Sequence, residues 1–567
     1  MRNDYRFSEL IYEATDFEAV RNEMEAVTKQ VETASSLDEV LSAIERYDKI
    51  EEKVRFAGTL CYIRMSQDSL NPEYAKAVDY EFSGSAQLPD AEFSKALLGC
   101  KFLPDLEKRF GKEYRLRIEK NFRLKRAGLE LIAKEGQLVN EYQRKNAAMR
   151  FTFQGKEYSA GEMRKFAESL DREVRKDALQ ATLMAYQEKK DEYISFLKKI
   201  LTVRDGIAKA NGFSDYAAYM DMAYDRTGYG KEELDAFCTD VKETLVPLLQ
   251  ELSTKQAELL GLDSIKRYDQ SLHFPDGNPV PVGGVEALTK AASAMYDSLS
   301  PELGDFFRGM ISTESFDIAP SNAKVSGMGF QTSLTRNYYP FVFANTDGTA
   351  SDVQVFTHEI GHAWQQYLTW GSQFPSLYDD MVHDAVEIPS RTMEMFTFPS
   401  GEVFFGEDAG KFRYGHFCTA LTEIARFCEG HELEVWSLTH PDASFAELTT
   451  KARELEQAYW PGLDGGELEH FYQDGIDIFR KMTLYMFPCY GIGYSLSWIC
   501  AMQFYKRFCE NKEAALKEYN AFCSRGGSLS YPELLQTVGM QPPYQKGVLD
   551  ELVAFAREEL RKLESSI

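Results

Sequence analysis

From Leu37 to Tyr62 and again from Leu98 to Ile132, apolar residues recur three and four positions apart with charges between them. That is the pattern of helices with one face in a core. Asn71-Pro72 and Leu103-Pro104 punctuate the run, because proline removes a donor and restricts the residue before it. At Met149 the period changes. Met149, Phe151 and Phe153 alternate with Arg150, Thr152 and Gln154, and after Gln154-Gly155 the chain returns through Lys156 to Ser159. This predicts a short hairpin. Helix resumes from Gly161 to Asn211, with a cap and break at Ser169-Leu170-Asp171.

Residues 231–262 read as helix, and 264–284, with Pro275, Gly277, Pro279 and Pro281, as loop. The stretch 320–350 is the least helical. It predicts two short strands, one at Phe330-Gln331-Thr332-Ser333 after Gly327-Met328-Gly329 and one within Tyr338 to Phe343. From Asp352 onward the chain is nearly all helix, broken at 399–410, 461–466 and 525–532. The expected fold is mainly α, with a small β-sheet beside the helix that starts near Asp352. The expected division is an N-terminal helical region with the hairpin at 1–200 and a catalytic domain at 201–567.

Composition narrows the function. A chain of 567 residues, 44% of them hydrophobic, builds a large core. No stretch approaches the roughly 18 apolar residues of a membrane helix. Asp4, Glu9, Glu13, Asp16 and Glu18 interrupt every apolar middle that a signal peptide would need. The net charge of −25 opposes polyanion binding, so nucleic acid is not an expected partner. The nine cysteines are scattered without a CxxC pair. They read as reduced thiols of a cytoplasmic protein and not as a thiolate metal site.

The chemistry lies in His358-Glu359-Ile360-Gly361-His362. Residues four apart lie one turn apart on the same helix face, so two imidazoles so placed grip one zinc ion. Zinc lowers the pKa of bound water to about 7. Glu359, beside the first histidine, reaches that water as general base and later passes the proton to the leaving amine. A shuffled chain of this composition shows the motif about once in a hundred, so its context matters. The flanks Val353, Val355, Phe356, Ala363 and Trp364 read as a buried helix, where histidines need partners. Zinc also needs a third protein ligand. Gln365 and Leu368 occupy the places where metzincins carry glycine and a third histidine, which excludes that class. Downstream, Glu387 and Glu394 stand two turns apart on one face. One of them binds zinc while the other orients a ligand histidine, with His383 and Asp384 as alternatives on other faces.

A second segment, Leu484 to Leu496, joins Tyr485, Tyr490 and Tyr494 to Gly491 and Gly493. Phenol hydroxyls donate to the oxyanion of peptide hydrolysis while their rings face apolar surroundings. Aromatic residues at helical spacing serve equally well as core.

Taken together these residues resemble oligoendopeptidase F, within the thimet-oligopeptidase-like metallopeptidases. The resemblance is carried by Phe151 to Tyr158, Asp171 to Arg175, Gly329 to Ser333, Pro340 to Asn345, Gly348-Thr349, His358 to His362, Glu387 to Glu394 and Pro488 to Tyr494. It runs from residue 115 to 560, and earlier residues read as generic helix. It implies a large helical body with a deep substrate channel lined by the small sheet, admitting short unfolded oligopeptides and rejecting folded proteins. It implies one Zn2+ per chain held by His358, His362 and Glu387, with Glu359 as general base, Glu394 behind the ligands, and Tyr490 and Tyr494 facing the substrate carbonyl. The segment near Gly329, or Phe343 to Asn345, is expected to pair with substrate backbone. One departure stands out: relatives usually carry a histidine where this chain has Thr483. That departure motivates a second reading, a zinc-containing peptide-binding protein with weak or lost turnover. A zinc exopeptidase is a third.

Overall fold

The computed structural model describes residues 3–124, 127–325, 329–372 and 375–567. Helices α1 (Phe17–Thr33), α2 (Leu37–Gln67), α3 (Pro72–Ser85) and α4 (Asp90–Gly99) come first. The Asp16, Ser36 and Asn71 side chains cap α1 to α3 by accepting first-turn N–H groups. Pro72 begins α3, where no intrahelical donor is lost. After α5 (Leu129–Ala148) comes the expected hairpin, β1 (Phe151–Phe153) and β2 (Lys156–Tyr158). Gln154 and Gly155 both take positive φ, 50° and 73°, as a two-residue turn matching strand twist requires. Asp171 caps α6 (Arg172–Gln187), and α7 (Lys190–Ala210) follows.

Further helices between Tyr216 and Ser312 lead to three strands, β3 (Phe316–Asp317), β4 (Phe330–Thr332) and β5 (Phe341–Phe343). The sheet order is β3-β5-β4, with β4 antiparallel and β3 parallel to β5. β4 and β5 lie within the non-helical stretch that predicted two strands, although Gly327 and Met328 fall outside the described residues. β3, two residues long, gives no periodic signal. Because β5 is central, both of its edges are taken. Phe343 therefore has no free strand edge for a peptide, and of the two strands β4 is the edge one. Then come α8 (Ala350–Gly371), α9 (Glu387–Phe396), α10 (Ala409–Thr439) and α11 (Ile492–Glu510). The fold is mainly helical, as expected, and no described helix is long and apolar enough to cross a membrane.

By contact the chain forms two units. The first takes Met1–Arg126, Pro281–Gly406 and Phe504–Met540. Its core joins Val20, Met24 and Val27 of α1 to Val40 and Ile44 of α2 and Phe93 and Leu97 of α4. Each large side chain buried there contributes about 1.5–3 kcal/mol. This unit also holds the three-stranded sheet, α8 and α9. The second takes Ala127–Val280, Glu407–Gln503 and Gln541–Ile567. It holds the hairpin, α5 to α7 and α10, with Tyr142 stacked on Tyr485 at 4.2 Å in its core.

Candidate metal centre

α8 is amphipathic in an unusual sense: Phe356, Ile360 and Ala363 are fully buried, and the two histidines keep 14% side-chain exposure each. The helix lies hard against α9. A Cβ on Gly361 would stand 2.6 Å from Ser390 Cα and 2.9 Å from Pro389 O, both backbone atoms that cannot turn aside. The glycine inside the histidine motif therefore sets the distance between α8 and α9. Gly361→Ala is expected to force the helices apart, costing about 1–3 kcal/mol as overpacking does. A lowered melting midpoint together with weaker metal retention, all ligands intact, checks this.

Across that contact Glu387 Oε2 lies 3.1 Å from His358 Nε2 and 3.2 Å from His362 Nε2. The two Nε2 atoms are themselves 3.2 Å apart. Tetrahedral zinc with bonds of about 2.0–2.2 Å separates its ligand atoms by roughly 3.3 Å. The triangle has that edge length within a few tenths of an ångström, and its donors are two imidazoles and a carboxylate. The residues fit zinc.

The surrounding hydrogen bonds fix the donors. His358 Nδ1 is 2.7 Å from Glu394 Oε1, which directs Nε2 at the triangle, the arrangement that orients metal-bound imidazoles generally. Arg391 Nη1 donates to the same oxygen at 3.0 Å, and Ser390 Oγ donates to Glu387 Oε2 at 3.0 Å. Neither Ser390 nor Arg391 carries a motif. Burial lowers the pKa of His358, but hydrogen bonds to Glu387 and Glu394 outweigh it and raise it to about 10. The same site resists a carboxylate by burial, yet the two histidines hold Glu387 well below the usual range. A carboxylate kept ionised in this way also favours a divalent cation.

Glu359 is 6% exposed. Burial raises its carboxyl above the ordinary value; the histidines oppose this and a hydrogen bond from the Gln331 backbone also lowers it. The edge strand β4 thus directs an N–H at the carboxylate expected to act as base. Gly329 makes the approach feasible, since a Cβ there would come 2.4 Å from Val355 Cγ1 and 3.5 Å from Glu359 Oε1. Sequence reasoning placed β4 near this helix without finding that contact.

Among the described residues, groups of three or more metal-type donors within 4.8 Å are His358–His362–Glu387 and His431–Glu434–Cys489. His383 and Asp384 belong to neither. In the second group Glu434 already accepts the Thr483 hydroxyl and the Cys489 N–H at 2.7 Å. Burial pushes it up to about 7, which disfavours the anion that a metal would need.

The first 118 of the matched residues, 7–124, fit the model of the Peptidase M3 N-terminal domain. Residues 165–274 and 301–554 fit that of Peptidase family M3. This chain belongs to peptidase family M3. The N-terminal match extends the likeness to helices that read as generic from sequence. The M3 chain is 23% identical over 412 residues to oligopeptidase PepF of Bacillus subtilis (strain 168), covering 68% of itself and 56% of that relative's length. Among solved structures, a candidate oligoendopeptidase F is 30% identical with a TM-score of 0.93, over 99% of this chain and 100% of that one. PZ peptidase A with an inhibitor is 29% identical, with the same TM-score and coverage. A candidate oligoendopeptidase F from Bacillus anthracis str. Ames is 27% identical, TM-score 0.88, over the whole of both chains. The family is zinc-dependent, in keeping with the donor set.

Tyr490 and Tyr494 of the M3 chain lie in the second unit, their rings 5.4 Å apart. Between Pro488 and Cys500 these two alone are not fully buried. Their segment is held by main-chain contacts: buried Arg204 donates to Leu484 O and Tyr485 O, each at 2.6 Å, and Arg226 to Cys489 O at 2.8 Å. Thr483, where the resemblance led to an expected histidine, is committed to Glu434.

Proposed function

We propose that this chain is a zinc endopeptidase that hydrolyses short, unfolded oligopeptides. The observation that carries the reading is the triangle of His358, His362 and Glu387 donors, at a tetrahedral edge length, beside the buried Glu359 and the edge strand β4. Bound zinc would polarise the scissile carbonyl and lower the pKa of water. Glu359 takes a proton from the attacking water, whose oxygen adds to the carbonyl carbon. As the C–N bond breaks, Glu359 returns that proton to the leaving amine. Glu394 holds the His358 imidazole through Nδ1. The β4 edge pairs with the peptide main chain, so recognition depends on extended backbone, which a folded protein does not offer.

Tyr490 and Tyr494 are the proposed donors to the oxyanion. Tyr494→Phe removes one hydroxyl and leaves the ring stacked on Phe427 at 4.8 Å. It is expected to lower kcat by about 10²-fold with KM little changed, as loss of one oxyanion donor does. Steady-state kinetics check this, and an unchanged kcat returns Tyr494 to a packing role.

The reading is tested with a short peptide blocked at both ends and mass spectrometry of the products. Internal cuts that a chelator abolishes and zinc restores support an endopeptidase. Absence of cuts, with zinc retained and the peptide bound, replaces it with the peptide-binding reading. Cuts only in unblocked peptides would indicate an exopeptidase.

A further inference from the structure

Between α2 and α3 the first unit has a cleft of about 250 Å³. Val54, Gly58 and Thr59 line it from α2 and Phe82 and Ser85 from α3; Glu51, Glu81 and Asp90 face it as well. Its walls combine apolar surface with three carboxylates. The one guanidinium in the lining, Arg55, is drawn to Asp379 at 3.6 Å. Glu81 is 1% exposed. Its Oε1 accepts from the Tyr12 hydroxyl at 2.8 Å and the Thr15 N–H at 2.9 Å, but its Oε2 has no hydrogen-bond partner. A buried carboxylate oxygen without a donor is costly unless a ligand supplies one. The negative field is felt nearby: burial, with the Glu81 charge adding to it, raises the Cys61 thiol to about 12.

A chain of aromatic rings links the rim of the cleft to β4, the edge proposed to pair with the peptide. Tyr62, one turn beyond Gly58 on α2, lies 6.5 Å from Phe82 and 5.1 Å from Phe330 of β4. The next residue of β4 is Gln331, which hydrogen-bonds Glu359. Phe82 is 56% exposed, an aromatic face open to a cation. Gly58 keeps the cleft open. A Cβ there would meet only Glu81 Cβ, at 3.9 Å, so no backbone contact demands glycine, although glycine weakens a helix interior.

We propose that this cleft receives a lysine or arginine side chain of the peptide, its apolar stem against Val54 and Phe82 and its charge toward Glu81, Glu51 and Asp90. The inference rests on the endopeptidase reading and adds a specificity to it: one basic residue at a fixed distance from the cut bond.

The test uses blocked peptides that differ only in one residue, lysine or its neutral analogue norleucine, scanned through each position. The wild type is expected to prefer lysine about tenfold in kcat/KM at one position, mainly through KM, as a charge-assisted contact implies. Gly58→Leu fills the cleft and abolishes that preference, while lysine-free peptides are cut at the wild-type rate. Glu51→Gln, which changes charge without volume, weakens the preference. Equal rates for lysine and norleucine at every position, or a preference that survives both variants, overturns the cleft proposal and leaves the endopeptidase standing. If the wild type cuts no peptide at all, the endopeptidase reading falls and the cleft's role falls with it.

Discussion

Glu359→Gln is expected to lower kcat for a blocked peptide by about 10⁴-fold, the upper range of general acid–base catalysis, while zinc stays stoichiometric. The side chain is isosteric, and its amide oxygen still accepts the Gln331 N–H, so β4 and α8 keep their contact. What disappears is the capacity to take a proton from water. Burial raises the Glu359 carboxyl, and a base with a raised pKa holds a transferred proton better than an exposed carboxylate does. Turnover, metal content and melting midpoint, measured on one preparation, separate the outcomes. Lost turnover with zinc and stability unchanged supports the base. Retained turnover removes Glu359 from the chemistry, and lost zinc makes it a ligand.

Much of this arrangement was legible in the sequence because it is local. Helical periodicity alone places His358 and His362 on one face, alternation places the β1–β2 hairpin, and the loss of helical pattern in 320–350 places β4 and β5. The third ligand was not decidable that way. Glu387, Glu394, His383 and Asp384 all lie within a short stretch, and which of them reaches the triangle depends on how closely α9 approaches α8. Gly361 sets that approach, through contact with Ser390 and Pro389, residues far along the chain. The resemblance named Glu387; residue spacing left it open. The same limit applies to Thr483 and Glu434, whose hydrogen bond joins separate helices, and to the α2–α3 cleft. There a glycine in a helical run reads only as a weak helix former, and no motif marks the open volume beside it.

Glu387→Gln is expected to weaken zinc binding by about 10³-fold, beyond the 10–100-fold typical when a group that merely orients a ligand is lost. The charged oxygen that completes the triangle becomes a neutral amide, and both histidines lose the partner within 3.2 Å of their Nε2 atoms. The pH dependence distinguishes this from general damage. In the zinc-free wild type, His358 holds a proton up to about 10, through Glu387 and Glu394 against the opposing effect of burial. Zinc requires the neutral imidazole. Binding therefore expels a proton, and affinity falls about tenfold for each unit by which pH drops below that value. Without the Glu387 charge His358 gives up its proton more easily, which reduces the competition zinc faces, so the variant's weaker binding comes from the lost ligand oxygen and its affinity varies less steeply toward higher pH. Chelator-competition titrations across neutral pH measure both quantities. Affinity and slope equal to wild type would exclude Glu387 as a ligand and turn attention to Glu394, the other carboxylate in contact with His358.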